Sequence, residues 1–439
     1  MKPLNIVFAS LVLLSAPGLT PASPLAAQDE TAAEPTELSP IQIRIEQVVS
    51  LLNGELDVPL QDIFTDRFLA AVPPEQLTGL SAQLTSQFGR AIAVESLSAP
   101  TANRSALAIR MERAIARGGI AIDENDGNKI SELLFRTFDP VDDSVEKISS
   151  DLNALPGKVG AYFGPIDGED PIISINPNTQ FGIGSTFKLY VLSALARRIE
   201  NGEDTWDATT GLSIARRSFP SGMMQDWPDP APVTLQTLAT MMISISDNTA
   251  TDALIRYVGT EAIIGEMIDS GHSNPPLNVP FMTTREMFAL KSSDEAIIEQ
   301  FRTSTAADKV EILNAVNSTE LDINRVQAAF SNGPNAIDIE WFASPNDLRK
   351  LMAHIPAGAN GVPQKIMSVN QSMADNGREN WPTAYYKGGS EPGVLNFTWL
   401  LKNRAGFPYV LTLSWNNPDA NLDETALELI AQRIMALKV

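Results

Sequence analysis

The chain has 439 residues, 44% of them hydrophobic and 19% charged, which reads as globular and exceeds what one hydrophobic core serves, so two folded domains are expected. A formal net charge of −21 argues against nucleic acid or an anionic membrane surface as a partner. The absence of cysteine excludes disulfides, zinc-thiolate sites and cysteine nucleophiles, and with only His272 and His354 a three-histidine metal centre is impossible and a Ser-His-Asp triad poorly provided for.

Residues 1–27 read as a secretory signal peptide: Lys2, an apolar stretch over 6–14, then small residues ending at Ala27. The apolar stretch is too short to span a membrane, so an exported protein, periplasmic or secreted, is expected. Residues 28–39 are acidic, carry few large apolar side chains and read as a linker.

Residues 40–140 have the content of a small α+β domain. An amphipathic helix over 41–52 and helical stretches over 59–88, broken at Pro73-Pro74, give way to period-two strands over 91–97, 106–114, 119–123 and 130–138. Helices followed by a curved antiparallel sheet predict a cone of the NTF2 or cystatin type. Arg110, Arg113 and Arg117 form a solvated strand face or, as the sharper alternative, an anion site.

The second domain is expected over 141–439. Strands over 158–163 and 172–175 form a hairpin leading to the stretch 181–202, where Leu189, Leu192, Leu195, Ala196 and Ile199 mark one face of an amphipathic helix ending at Gly202. At its front edge stand Ser185 and Lys188. Three residues apart is one turn, so the hydroxyl and the amine share a face, the minimum equipment for a serine nucleophile whose base is a lysine. The helix N-terminus also favours the negative charge that develops during acyl transfer. Helices follow over 234–244, 248–258, 261–269 and 284–291, then strands over 384–388, 395–403 and 409–415 and a closing helix over 423–437. Strands at both ends with helices between predict one sheet and a separate helical lobe, with a site in the cleft. His272, in a Gly-His-Ser-Asn-Pro-Pro loop, and His354, at a helix end, both read as ordinary surface histidines.

Two further stretches complete a constellation: Ser246-Asp247-Asn248 between two helices, and Lys387-Gly388-Gly389-Ser390 ending a strand. With Ser185-Thr-Phe-Lys188 and in this order, they make the second domain resemble the penicillin-recognising serine enzymes, the superfamily of class A β-lactamases and penicillin-binding proteins. The resemblance implies a β-lactamase/transpeptidase-like α+β fold, a small-molecule lactam or ester substrate and no cofactor. It implies Ser185 as nucleophile and Lys188 as base, neutral through burial and the nearby charge of Lys387, which also holds a substrate carboxylate. Ser246 would relay a proton to the leaving group. Asn248 would bind Lys188 or a substrate amide, and Gly388, Gly389 and Ser390 would line the substrate. The backbone N–H groups of Ser185 and Ser390 would form the oxyanion hole.

Gly388 departs from the family's threonine or serine, and no clear Glu-x-x-Leu-Asn follows Ser246-Asp247-Asn248. Glu286 and Glu340 are the candidate deacylation bases, each also reading as a helix-start or surface acid. The stretches 283–288, 340–345 and 387–394, together with the first domain, are similar to the two-domain β-lactamase-like proteins of clavulanic acid biosynthetic clusters. That narrower resemblance implies an esterase or weak β-lactamase. A penicillin-binding or sensor protein that does not turn over, and a D-Ala-D-Ala peptidase, are the competing expectations.

Overall fold

The computed structural model describes residues 38–439 with the exception of 102, 142, 213–216, 319–320, 359 and 374; the expected signal segment and nearly all of the linker lie outside the described residues. From Pro40 to Pro140, helices precede an antiparallel sheet, as the change of hydrophobic period predicts. The helix Pro40–Leu52 buries Ile41, Ile45, Val48 and Leu52, which recur at helical spacing and cover the sheet. Pro74 occupies the first helical position of Pro74–Phe88, where its missing N–H costs nothing. Strands Ala91–Thr101, Arg104–Met111, Ala114–Asp123 and Lys129–Pro140 pair antiparallel in chain order. Arg110 pairs with Glu95 at 3.5 Å, Arg117 with Asp139, and Arg113 donates to the Ser86 carbonyl at 2.6 Å. Arg110 and Arg117 are thus paired with acids of neighbouring strands, which favours the solvated face over an anion site at those two positions.

The second sheet has five antiparallel strands in the order Thr383–Glu391, Val394–Lys402, Pro408–Asn416, Lys158–Pro165 and Ile173–Ile175. Its early and late strands meet because Lys158–Pro165 pairs with Pro408–Asn416, Ala161 lying opposite Leu413. One face packs Trp381, Trp399 and Trp415 against Leu427, Ile430 and Ile434 of the helix Glu424–Ala436. The other carries the helical lobe, with Lys188–Glu200 at its centre.

Among the elements that escaped the sequence reading, two show why. The helix Val145–Ala154 buries only Ile148 and Leu152, too few apolar positions to declare a period, although Ser144 caps it. The short hairpin Thr209–Leu212 with Ala231–Thr234 is half exposed and lacks alternation. Among the described residues no helix is long and apolar enough to cross a membrane.

The last helix serves two cores. Leu429 belongs to the apolar cluster of the first sheet, while Leu427 and Ile430 belong to that of the second. Its Arg433, buried, grips Asp143 through Nε at 2.7 Å and through a second nitrogen at 2.9 Å, and reaches Asp151 at 2.7 Å. A guanidinium satisfied by two carboxylates fixes the helix to the segment that joins the two sheets.

Candidate active site

The approach to Ser185 is a short strand, Phe181–Gly182, paired with Phe342–Ala343 and pinned by Asn416, whose side chain accepts from Gly182 N at 2.8 Å and donates to Gly182 O at 2.9 Å. Gly184 then takes φ +49°, a left-handed conformation that opens the turn. Ser185 lies in a 3-10 turn, Gly184–Phe187, and the α-helix begins at Lys188, three residues later than an uninterrupted helical stretch predicts. In 3-10 geometry side chains three apart eclipse, so Ser185 and Lys188 stand one above the other. The helix itself is not amphipathic as expected. Every residue from Leu189 to Ala196 is buried, because the lobe surrounds it. Its end does follow expectation: Gly202 has φ +76°, with Gly202 N donating to Ile199 O and Glu203 N to Arg198 O.

Lys188 is fully buried, and its Nζ donates to Ser246 O at 2.8 Å, Ser246 Oγ at 3.0 Å and Asn248 Oδ1 at 2.7 Å. Burial, and next the charge of Lys387, hold its pKa well below the lysine range, against the pull of Asp252 and Asp247. Ser246 reaches the lysine from a strained backbone, φ +58°, unusual for a residue with a side chain. Asp247 secures that turn. It is wholly buried and accepts from Met223 N at 2.7 Å, Met224 N at 2.8 Å and Ala250 N at 2.9 Å, capping the helix Asn248–Val258. Ser221 Oγ donates to Ser246 O at 2.7 Å, and Asn248 Nδ2 to Phe219 O at 2.9 Å, so both ends of the Asn248 amide are engaged.

Lys387, Gly388, Gly389 and Ser390 lie on the edge strand Thr383–Glu391. Lys387 is buried, its Nζ bonds Gly388 O, and burial lowers its pKa to about 7. The glycines have separate reasons. A Cβ on Gly389 would lie 2.2 Å from Ile183 O and 2.4 Å from Ser185 N, while one on Gly184 would lie 3.0 Å from Ser390 N. The two backbones therefore touch without intervening side chains, which brings the Ser185 and Ser390 amides to one junction. A Cβ on Gly388 would lie 2.2 Å from the Tyr386 hydroxyl oxygen, so this tyrosine fills the space that the family's threonine or serine requires.

The two candidate bases are occupied elsewhere. Glu286 closes a capping box, accepting from Thr283 N at 2.7 Å and from Asn317 Nδ2 at 3.5 Å; the helix-start reading accounts for it. Glu340 is not a surface acid: it is buried, accepts from its neighbour Trp341 N at 3.0 Å and pairs with Lys291 Nζ at 3.4 Å. His272 is likewise buried rather than on the surface, with Nε2 2.8 Å from Phe342 O and Nδ1 accepting from Asn274 N at 3.0 Å. His354 is partly exposed and binds Glu266 at 2.9 Å.

Sequence reasoning assigned no role to Asp252, Ser221 or Tyr386. Asp252 accepts from Thr284 N at 2.7 Å, Thr284 Oγ1 at 2.7 Å and Arg285 N at 2.9 Å, tying the helix of Asn248 to the next. Its position, one turn beyond Asn248 on the same face, was the available signal.

A buried lysine between a serine turn and a second lysine is the equipment of acyl transfer. Residues 143–329 match the model of the beta-lactamase enzyme family. The matched stretch takes in Ser185, Lys188 and Ser246 and ends before Lys387. No curated protein matches the chain. Similar solved structures include a β-lactamase from Sphaerobacter thermophilus, 22% identical over 66% of this chain and 94% of that one with a TM-score of 0.45. Others are PBP-A, 18% identical over 66% and 92% with a TM-score of 0.46, and the chromosome-encoded β-lactamase of Vibrio parahaemolyticus, 14% identical over 66% and 95% with a TM-score of 0.46.

Proposed function

We propose that the protein is an exported serine hydrolase that takes a lactam or ester acyl group onto Ser185 and releases it slowly to water. The observation that carries the reading is the fully buried Lys188, its amine held by Ser246 and Asn248 and its basicity lowered by burial and by Lys387. The three hydrogen bonds that Lys188 donates use all the protons of its ammonium; once one proton is shed one of those bonds lapses, and the freed lone pair accepts the Ser185 proton as Oγ attacks the acyl carbon, while the amides of Ser185 and Ser390 receive the oxyanion. Ser246 passes a proton to the departing nitrogen or oxygen. Lys387, when charged, binds a carboxylate on the substrate.

Slow deacylation is favoured because Glu286 is committed to a helix cap and Glu340 to Lys291. An esterase or weak β-lactamase therefore stands ahead of an efficient penicillinase, with the non-turnover penicillin-binding role as the limiting case and the D-Ala-D-Ala peptidase as the remaining competitor. Relation to the clavulanic acid cluster proteins, and an NTF2- or cystatin-type assignment for 40–140, belong to the same proposal. The test is mass spectrometry of the intact protein with a penicillin, a cephalosporin and a p-nitrophenyl ester, following product alongside. A transient adduct on Ser185 that is absent from Ser185→Ala is expected. A lasting adduct selects the sensor role, and D-Ala release from a diacyl-D-Ala-D-Ala peptide selects the peptidase. No adduct with any donor refutes the reading.

A further inference from the structure

Behind the junction of the two candidate oxyanion donors lies a buried ionic cluster that no step above uses. Lys291, at the end of the helix Thr284–Lys291, has a fully buried side chain. Its Nζ lies 2.5 Å from Glu391 Oε1 and 3.4 Å from Glu340 Oε1. Glu391 follows Ser390 directly on the edge strand. Glu340 lies against the other half of the junction: a Cβ on Gly182 would be 3.3 Å from its Cγ, and Trp341 beside it accepts from Ile183 N at 3.0 Å and stacks on Phe187 with ring centroids 3.7 Å apart. One carboxylate thus belongs to the strand of the Ser390 amide, the other to the backing of the Ser185 turn, and a single ammonium joins them.

We infer that Lys291 is a positioning residue that clamps the two halves of the oxyanion hole together through Glu340 and Glu391. The physical reason is the cost of separation. The Lys291 ammonium is buried, and drawing either carboxyl away costs it a hydrogen-bond partner that water does not replace, so the strand end and the serine turn cannot drift apart independently. Burial, ahead of the opposing Lys291, pushes the Glu391 carboxyl up to about 8, so glutamine, which keeps an oxygen for the ammonium to donate to, is the conservative replacement there.

Only the kinetic arm of the test rests on the acyl-enzyme reading. Hydrogen exchange read by mass spectrometry over 181–187 and 388–394, with 40–52 as control, is compared in the full chain for the parent, Lys291→Met, Glu391→Ala and Glu391→Gln. Lys291→Met and Glu391→Ala are expected to speed exchange tenfold or more in both active-site segments and to leave the control unchanged. Glu391→Gln, which mimics the neutral acid, keeps exchange near the parent's. If Lys291→Met does not fold, Glu391→Ala carries the test alone. Unchanged exchange, or loosening confined to 388–394, overturns the inference whatever the activity. In the kinetic arm, the maximal acylation rate of Ser185 falls about tenfold in the two disruptive variants with unchanged half-saturation, and Glu391→Gln restores it; one oxyanion donor is worth roughly 10² to 10³ in rate. A parent protein that never acylates refutes the proposed function and leaves exchange to decide on the clamp.

Discussion

Lys387 loses its proton in the folded protein at about pH 7, whereas an exposed lysine keeps it to about 10.4. Between those values the unfolded chain binds a proton that the folded chain does not, so this residue makes stability rise with pH across the window, and below it the full cost of burying the charge is borne. Lys387→Met is therefore expected to raise Tm at about pH 6 by several degrees, the gain shrinking toward about pH 10, while acylation is lost. Thermal scans at both ends check the sign; an equal shift at both ends would remove the buried charge as its cause. The same titration acts on catalysis: kcat/KM for a carboxylate-bearing penicillin should fall as pH passes about 7, and fall less for an uncharged ester, because only the first needs the ammonium for binding. Asp247 offers a different kind of test. Asp247→Ala strands three backbone N–H groups and is expected to cost about 2–4 kcal/mol in denaturant unfolding, together with most of the acylation rate.

At the scale of elements, the site depends on two backbones in contact. Gly389→Ala forces a methyl against Ile183 O and Ser185 N and should reduce acylation by at least about 10²-fold, as misplacing the nucleophile's own turn would. Gly388→Thr restores the family residue but collides with the Tyr386 hydroxyl. It should lower stability alone and recover part of the loss when Tyr386→Phe is added, a coupling of about 1 kcal/mol or more by double-mutant cycle. These contacts also explain what could be read from the sequence. The proximity of Lys188 to Ser246, Asn248 and Lys387 could be expected because each sits in a short motif whose spacing is local, and the long strands and helices could be expected because their periods are unbroken. Tyr386 stands two residues before Gly388 on the same strand face, yet nothing in its spacing told that its hydroxyl reaches back over the glycine. Glu340 looked like a surface acid because its partner, Lys291, lies 49 residues away in the chain. The all-round burial of 188–196 was hidden for a related reason: Ser193 is polar by composition, and the Glu266 that accepts its hydrogen bond at 2.7 Å is supplied by another helix.

For the whole molecule, the shared C-terminal helix makes the two sheets mechanically dependent. Leu429→Ala removes a side chain from the first core and is expected to cost about 2–4 kcal/mol. If the helix transmits the loss, calorimetry shows one transition moved as a unit, and two separated transitions would show that the blocks melt independently. Arg433→Met tests the same joint through its charges: two carboxylates lose their cation, and the variant is expected to lose about 3 kcal/mol in denaturant unfolding. The arrangement also bears on how the chain is made. Residues 40–140 leave the ribosome long before Glu424–Ala436, so the socket that Leu429 fills stays open throughout the synthesis of everything between. Until the helix arrives, the first block carries the place of Leu429 as a patch of uncovered apolar surface. The part of the molecule born first is the one that finishes last.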